Sequence, residues 1–466
     1  MATSSTTGQQ TLDSGQLDAL RSAIRGEVIL PGDTAYDEAR HVFNAMIDRR
    51  PAVIVRCNDV ADVISAVNFG RQAQLSVSVR GGSHNVVGFA VNDGGLVIDL
   101  SHMRSVWVDP EQRVARVEGG ATWGDVDHAT HAFGLAAPAG IISTTGMGLL
   151  LGGGIGYLTR PHGLSCDNLL SADVVLANGT LVTASANHNP DLFWALRGGG
   201  GNFGVVASLT LQLHPVDTVI GGPILYPIEK CRDALVLFRE VMASTPEDFN
   251  AFFAFLIVPN VPAFPEALRN QRVCGIVVCY TGAQEQAEGL LKPLRDFGPV
   301  LDAIGPLPLP MLNSMFDFTM PVGTLHHYWK ADYINELSDA AIDVHARFGP
   351  ELPYGSSTMH IYSNSGAVRR VKPEETAYSY RDADFVHVIV AAGEDSADTP
   401  RGRQWVRDYW EALHPLSAGG AYVNFLMDEG DERIRATYRG NYDRLVAVKR
   451  QYDPTNLFNQ NQNIRP

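Results

Sequence analysis

Two nucleophilic side chains stand in separate turn-rich segments, His84 in Ser78-Val-Arg-Gly-Gly-Ser-His-Asn-Val-Val-Gly88 and Cys166 in His162-Gly-Leu-Ser-Cys-Asp-Asn168. An imidazole nitrogen and a thiol sulfur in such settings suit attachment of a ring cofactor better than metal binding or nucleophilic catalysis. The five cysteines, Cys57, Cys166, Cys231, Cys274 and Cys279, form an odd set without the C-x-x-C pairing of a zinc site, and no disulfide framework is expected. Cys274 and Cys279 lie in an apolar strand-like run and read as small buried hydrophobes. Cys166 differs, because Ser165, Asp167 and Asn168 are polar loop formers that are expected to expose its thiol.

Glycine-rich loops surround these two residues. Gly81 and Gly82, ahead of Ser83, His84 and Asn85, let backbone amides approach a diphosphate closely because no side chain blocks the anion. The loop leads into another strand near Leu96 and does not open a helix, so it is no Rossmann fingerprint. Gly152-Gly-Gly-Ile-Gly156 and Arg197-Gly-Gly-Gly-Gly-Asn-Phe-Gly204 are further glycine clusters of the same kind.

The elements that must position these loops follow from periodicity. Ala52–Cys57 reads as a strand, Asn58 or Asp59 caps a helix carrying Val60, Val63, Ile64 and Val67 at helical spacing, and Leu75, Val77 and Val79 alternate as a second strand. Residues 52–79 thus predict one βαβ unit with a right-handed crossover. Strands are expected at 96–100, 113–118, 172–176 and 205–213, with a capped helix at 122–133 stopped by Gly134. Beyond Pro215 the texture changes to longer helix patterns such as 334–347 mixed with strands such as 385–391.

Bulk properties narrow the function class. With 466 residues the chain is too long for one simple core. A formal charge of −15 with 19% charged residues disfavours nucleic acid and anionic membranes as partners, and favours a neutral or cationic small molecule. No run approaches the ~20 apolar residues of a membrane span. The polar start, Met1 to Gln10, lacks the basic and apolar parts of a signal peptide, so a cytoplasmic location is expected.

The histidine loop resembles the histidyl-attachment loop of the vanillyl-alcohol-oxidase-like flavoproteins. The cysteine loop resembles the cysteinyl-attachment loop of their berberine-bridge-enzyme-like branch. Leu151 to Tyr157, Arg197 to Gly204, Ala421-Tyr-Val-Asn-Phe425, Tyr452 to Phe458 and Asn461 to Ile464 match the same family, so the resemblance covers most of the chain. It implies an α+β fold, with a two-lobed PCMH-type FAD-binding domain and a substrate domain whose antiparallel sheet is covered by helices. The expected limits are a disordered lead-in at 1–15, an FAD domain at 16–215, a substrate domain at 216–415, and a tail at 416–466 that completes the FAD domain.

The resemblance also implies roles. FAD is expected to be held bicovalently, by His84 at the 8α-methyl and Cys166 at C6. Around it stand Arg80, Gly81, Gly82, Ser83, Asn85 and Gly88, then Gly146, Gly152, Gly153, Gly154, Gly156 and Tyr157. Gly163, Asn168, Leu169, Gly200, Gly201, Gly204 and Val205 follow, with Asn424, Asn461 and Asn463 from the tail. Leu169 sits where bulk in this family controls access of dioxygen. Tyr422 is the expected base, paired with Asn424 on one face of a strand, whereas Phe425 replaces a tyrosine common at its place. The pocket wall is expected from Tyr328, Trp329, Tyr378, Tyr380 and Arg381. The activity implied is oxidation of a small-molecule alcohol, from sugars to secondary metabolites, with dioxygen as acceptor and hydrogen peroxide as product. A histidyl-only amine oxidase and a flavin-carrying protein without turnover are the alternatives.

Overall fold

The computed structural model describes residues 12–466. The lead-in expectation for residues 1–11 lies outside the described residues. From there it is corrected: Asp13 accepts from Gln16 N–H at 2.9 Å and caps a helix over Ser14–Ala23, the N-cap chemistry that a short carboxylate performs best.

The fold is α+β. A four-stranded sheet runs in the order Glu27–Ile29, Val53–Arg56, Leu96–Asp99, Val77–Arg80. The βαβ expectation is adjusted here. Val53–Arg56 and Val77–Arg80 flank the helix Val60–Gln72, yet both pair in parallel with Leu96–Asp99, which inserts between them. All four residues of Leu96–Asp99 are buried, as a central parallel strand requires. The loop leaving Arg80 therefore emerges at the edge of this sheet and carries His84 toward the second lobe.

That lobe is a five-stranded antiparallel sheet in the order Val106–Asp109, Val114–Glu118, Val205–Gln212, Leu169–Val175, Leu181–Ser185. The chain then crosses at His214–Pro215 into a large antiparallel sheet built on Thr218–Pro227, Arg272–Tyr280, Phe249–Ile257, Thr358–Ser363, Phe385–Gly393 and His326–Ile334, in that order. The helical pattern expected from Ile334 starts later, at Asp339, because Ile334 is the last residue of its strand.

Alternation divides this sheet into two faces. One face, with Phe253, Phe255, Ile276, Met359, Ile361 and Ile389, is buried under helices that include Cys231–Ser244 and Thr399–Leu413. The other face looks toward the two smaller lobes. The tail returns to those lobes. Lys449, fully buried, donates to the carbonyls of Asn202 and Phe458 and pairs with Asp453 at 2.7 Å. Asn202 in turn donates to the Gly199 and Gln462 carbonyls. A glycine loop of one lobe and the chain terminus are thereby locked together.

Candidate active site

A cavity of about 1060 Å³ lies between the lobes and the large sheet. Its floor is made of backbone-rich loops, Gly81–Asn85, Gly140–Ile142 with Thr145 and Gly146, Gly199–Asn202, and Gln460–Gln462. Its roof is the open face of the large sheet. Trp329, Tyr422 and Phe425 stand where the two meet.

The floor is shaped by close backbone contact. A Cβ on Gly82 would lie 2.4 Å from the Gly146 nitrogen, and one on Gly146 would lie 2.4 Å from the Gly82 nitrogen, so the two loops touch only because both residues are glycine. Ser83 adopts a left-handed φ of 59°, an uncommon conformation for a non-glycine residue. Its hydroxyl has no partner, and neither has the side-chain oxygen of Asn461. A Cβ on Gly201 would meet nothing within 4 Å. Orphaned polar atoms and bare backbone on one wall fit a bound group rich in hydrogen-bonding atoms, as FAD is.

His84 faces this space. Its Nε2 is 3.0 Å from the Thr144 hydroxyl, and Phe43 stacks on the imidazole at 4.6 Å, itself stacked on His327. Burial pushes the His84 pKa down to about 4, so the ring is neutral at pH 7 and keeps a nitrogen lone pair.

The second expected attachment residue lies behind the cavity wall. Cys166 is completely buried and does not line the cavity. It sits in a 3₁₀ turn, Ser165–Asn168, behind the glycine loop, with its N–H donating to the Gly153 carbonyl at 2.8 Å. Burial, reinforced by the Asp167 carboxylate, raises the thiol pKa, which suppresses the reactive thiolate. The polar neighbours that suggested exposure are used inward: Asp167 forms a two-pronged ion pair with Arg381 at 2.7 Å, and Asn168 donates to the His162 and Leu164 carbonyls.

Several expected cofactor contacts prove to be packing residues. A Cβ on Gly152 would lie 2.1 Å from Asn424 Oδ1, on Gly153 2.9 Å from the Tyr378 ring, on Gly154 2.0 Å from Ser165 Oγ, and on Gly156 1.9 Å from the Ala139 carbonyl. These glycines let the tail and the cysteine turn close on the loop, and only Ile155 of that segment reaches the cavity. Gly88 packs on Ile47, Gly204 on Val174, and Gly163 takes a φ of 82° after a short helix. Tyr157, Asn168, Leu169 and Val205 are core residues, so the dioxygen gate expected of Leu169 has no cavity contact. Arg80 donates to the Ala39 carbonyl, and Asn463 stands off the cavity wall. Gly81, Gly82, Ser83, His84, Asn85, Gly146, Gly200, Gly201, Asn424 and Asn461 do line it.

Tyr422 and Asn424 are not on a strand. Val423–Phe425 is a 3₁₀ turn, and the two residues meet through it, Asn424 Nδ2 donating to the Tyr422 oxygen at 2.7 Å. Gly154 N–H and Ile155 N–H donate to the same oxygen at 2.8 and 3.3 Å. Burial outweighs these bonds and raises the phenol pKa. Three N–H groups thus hold the Tyr422 oxygen, so the geometry makes Tyr422 a clamp on the glycine loop, with its lone pairs already engaged.

Of the expected pocket wall, Trp329 alone reaches the cavity. Tyr328 projects from the opposite face, where Arg407 donates to its hydroxyl. Tyr378 donates to Asn364, Tyr380 donates to the Ala436 carbonyl, and Arg381 is spent on Asp167. The roof that sequence reasoning missed consists of Pro223, Leu225, Phe252, Ala254, Val277, Val388 and Val390, into which His360 and Tyr362 project. Its only sequence signal is alternation within strands that also carry apolar residues on their other face.

An FAD-binding-domain family matches residues 51–185, and a "Berberine and berberine like" family matches 421–465. An FAD-linked oxidoreductase of Dictyostelium discoideum is 32% identical over 95% of each chain. Among solved structures, the 6-hydroxy-D-nicotine oxidase of Arthrobacter nicotinovorans superposes with a TM-score of 0.86 at 28% identity, covering 98% of this chain and 100% of that one. The xylooligosaccharide oxidase of Myceliophthora thermophila C1 gives 0.83 at 26% identity, covering 97% and 99%. With matching models at both ends of the FAD-binding lobes, and a relative that aligns along nearly its whole length, the chain belongs to the berberine-bridge-enzyme-like FAD-linked oxidoreductases.

Proposed function

We propose that the protein oxidises the CH–OH carbon of an apolar, ring-bearing alcohol to a carbonyl with FAD tethered through His84 alone, and that dioxygen closes the cycle as hydrogen peroxide. The observation that carries this reading is the continuity of one cavity from the His84 floor to a roof built almost wholly of aliphatic and aromatic side chains. FAD, when bound, supplies the hydride acceptor and the route for the electron pair to dioxygen. Everything else falls to the chain. Gly200 and Gly201, where an added Cβ would meet at most one atom at 3.9 Å, leave room for the cofactor, Gly82 lets two floor loops meet, and His84 offers a neutral imidazole with a free lone pair.

The roof selects substrate by desolvation. Each hydroxyl of a sugar placed against Leu225, Ala254 or Val277 would lose water without gaining a partner, at about 1–3 kcal/mol apiece, whereas a flat or polycyclic molecule loses nothing there. The histidyl-only arrangement also supports a second reading, oxidation of an amine, since Cys166 stands away from the cavity.

Anaerobic addition of ring-bearing alcohols, oligosaccharides and amines to the yellow protein separates these readings. Bleaching of the flavin by apolar alcohols, followed by peroxide on admitting air, is expected. Bleaching by oligosaccharides alone overturns the substrate class, and bleaching by amines alone overturns the CH–OH assignment. Acid precipitation tests the tether: His84→Ala is expected to release its FAD into the supernatant, and retention there refutes a histidyl-only bond.

A further inference from the structure

The strand Thr358–Ser363 crosses the middle of the roof. Alternation sends Met359 and Ile361 into the helix-covered core, and turns His360 and Tyr362 together toward the cavity. Their neighbours across the sheet are Ala254 and Val388 for His360, and Phe252 and Val386 for Tyr362. From the tail, Phe425 leans on the Tyr362 ring at 5.9 Å. In this apolar setting the Tyr362 hydroxyl lies 2.6 Å from His360 Nδ1. No other hydrogen bond to the Tyr362 oxygen is made among the described residues, so its lone pairs remain open to the cavity. This is the reverse of Tyr422, whose oxygen is filled by three N–H donors.

We propose that Tyr362 and His360 form the proton-accepting pair of the reaction, Tyr362 being the catalytic residue that receives the substrate hydroxyl proton and His360 the positioning residue that takes the phenol's own proton. The proposal rests on the CH–OH reading above. In the Nε2–H tautomer the phenol donates to Nδ1. As the substrate C–O bond gains double-bond character, its hydroxyl proton moves to the Tyr362 oxygen and the Tyr362 proton moves to Nδ1. With FAD bound, its ring would supply the acceptor for the hydride from the same carbon. The sum is one carbonyl, one proton held on His360, and one electron pair delivered to the cofactor, so atoms and electrons balance. No tyrosinate is formed at any stage, which matters because burial, with a smaller contribution from Tyr422, holds the Tyr362 phenol pKa far above neutrality. Burial also keeps His360 neutral, its pKa pushed down to about 4. Around the pair stand Phe252, Ala254, Val386, Val388 and Phe425 with two titratable groups, Tyr422 and Tyr157, both phenols whose pKa burial raises, so neither gains charge between about pH 4 and 7.

The test uses the holoenzyme and the best alcohol from the bleaching panel. Tyr362→Phe keeps the ring, and His360→Gln keeps a hydrogen-bond acceptor that cannot take a proton. Each is expected to reduce its flavin roughly 100-fold more slowly, within the range for loss of a general base, with flavin content and melting temperature unchanged. Wild-type reduction is expected to slow as pH falls toward about 4, where His360 becomes protonated, and this acid limb is expected to vanish in His360→Gln. Independently of turnover, ¹⁵N-histidine NMR is expected to show one imidazole whose Nδ1 resonance moves in Tyr362→Phe. Reduction within threefold of wild type in both variants, or an unchanged acid limb in His360→Gln, overturns the pair. Failure of every alcohol to bleach the wild-type flavin overturns the underlying CH–OH reading instead, so the two failures are told apart.

Discussion

The floor and the roof of the cavity are built on opposite principles. On the floor the chain withdraws its side chains: Gly82 and Gly146 touch backbone to backbone, Gly201 faces open space, and Ser83 and Asn461 hold polar atoms without partners. On the roof side chains do everything, and on the sheet face nearly all are apolar except Thr358, His360 and Tyr362. A floor of amides and orphaned oxygens reads a large polar group that is the same in every turnover. A roof of packed hydrocarbon reads the shape of a molecule that differs from one relative to the next. On the function proposed above, the difference assigns cofactor binding to one half of the cavity and substrate choice to the other.

Gly201→Val strikes the floor hardest. Its Cβ meets nothing in the protein, so the fold is expected to survive with an unchanged melting temperature while the branched side chain occupies cofactor space. A colourless, folded protein is expected, and a yellow one with full flavin content would break the assignment of that loop.

Below the floor, Arg381→Met leaves Asp167 buried without its partner, the two being 2% and 8% exposed. Breaking such a pair costs about 3–5 kcal/mol. Denaturant unfolding is expected to show that loss, and a change under 1 kcal/mol would mean that Asp167 finds other donors.

Val277→Thr sharpens the roof. It keeps shape and adds one hydroxyl to the apolar face, so KM for an apolar alcohol is expected to rise about tenfold, the equivalent of ~1.4 kcal/mol, at constant flavin content. An unchanged KM would place the substrate elsewhere.

The smallest effect is expected from Cys166→Ala. With the thiol buried behind Gly153, the flavin spectrum and its retention through acid precipitation are expected to match the wild type. A shifted spectrum would restore a second attachment.

Much of the cofactor half was legible from residue order alone. His84, Gly81 and Gly82 stand in one short run, and the family resemblance marked them together with Gly200 and Gly201; all five line the cavity. The same signal overreached at Gly152, Gly153, Gly154 and Gly156, because glycine demanded by a neighbouring side chain is written with the same letter as glycine demanded by a ligand. Cys166 misled for a related reason. Polar neighbours suggest exposure, but Asp167 spends its charge on Arg381, more than two hundred positions away in the chain.

The sequence by itself determined the α+β alternation, which depends on local periodicity and capping, and its motifs carried the resemblance that pointed to FAD and to the histidine loop. Tertiary structure alone decided which tyrosine keeps a free oxygen. Tyr422 and Tyr362 are both buried phenols, each with a polar neighbour two residues away in the chain, Asn424 and His360, that bonds to its oxygen. One is filled by N–H groups from a loop 267 and 268 residues away, and the other is left open beside an imidazole. Whether a hydroxyl can accept a proton depends on what already points at its lone pairs, and that is set by which strands and loops meet in space.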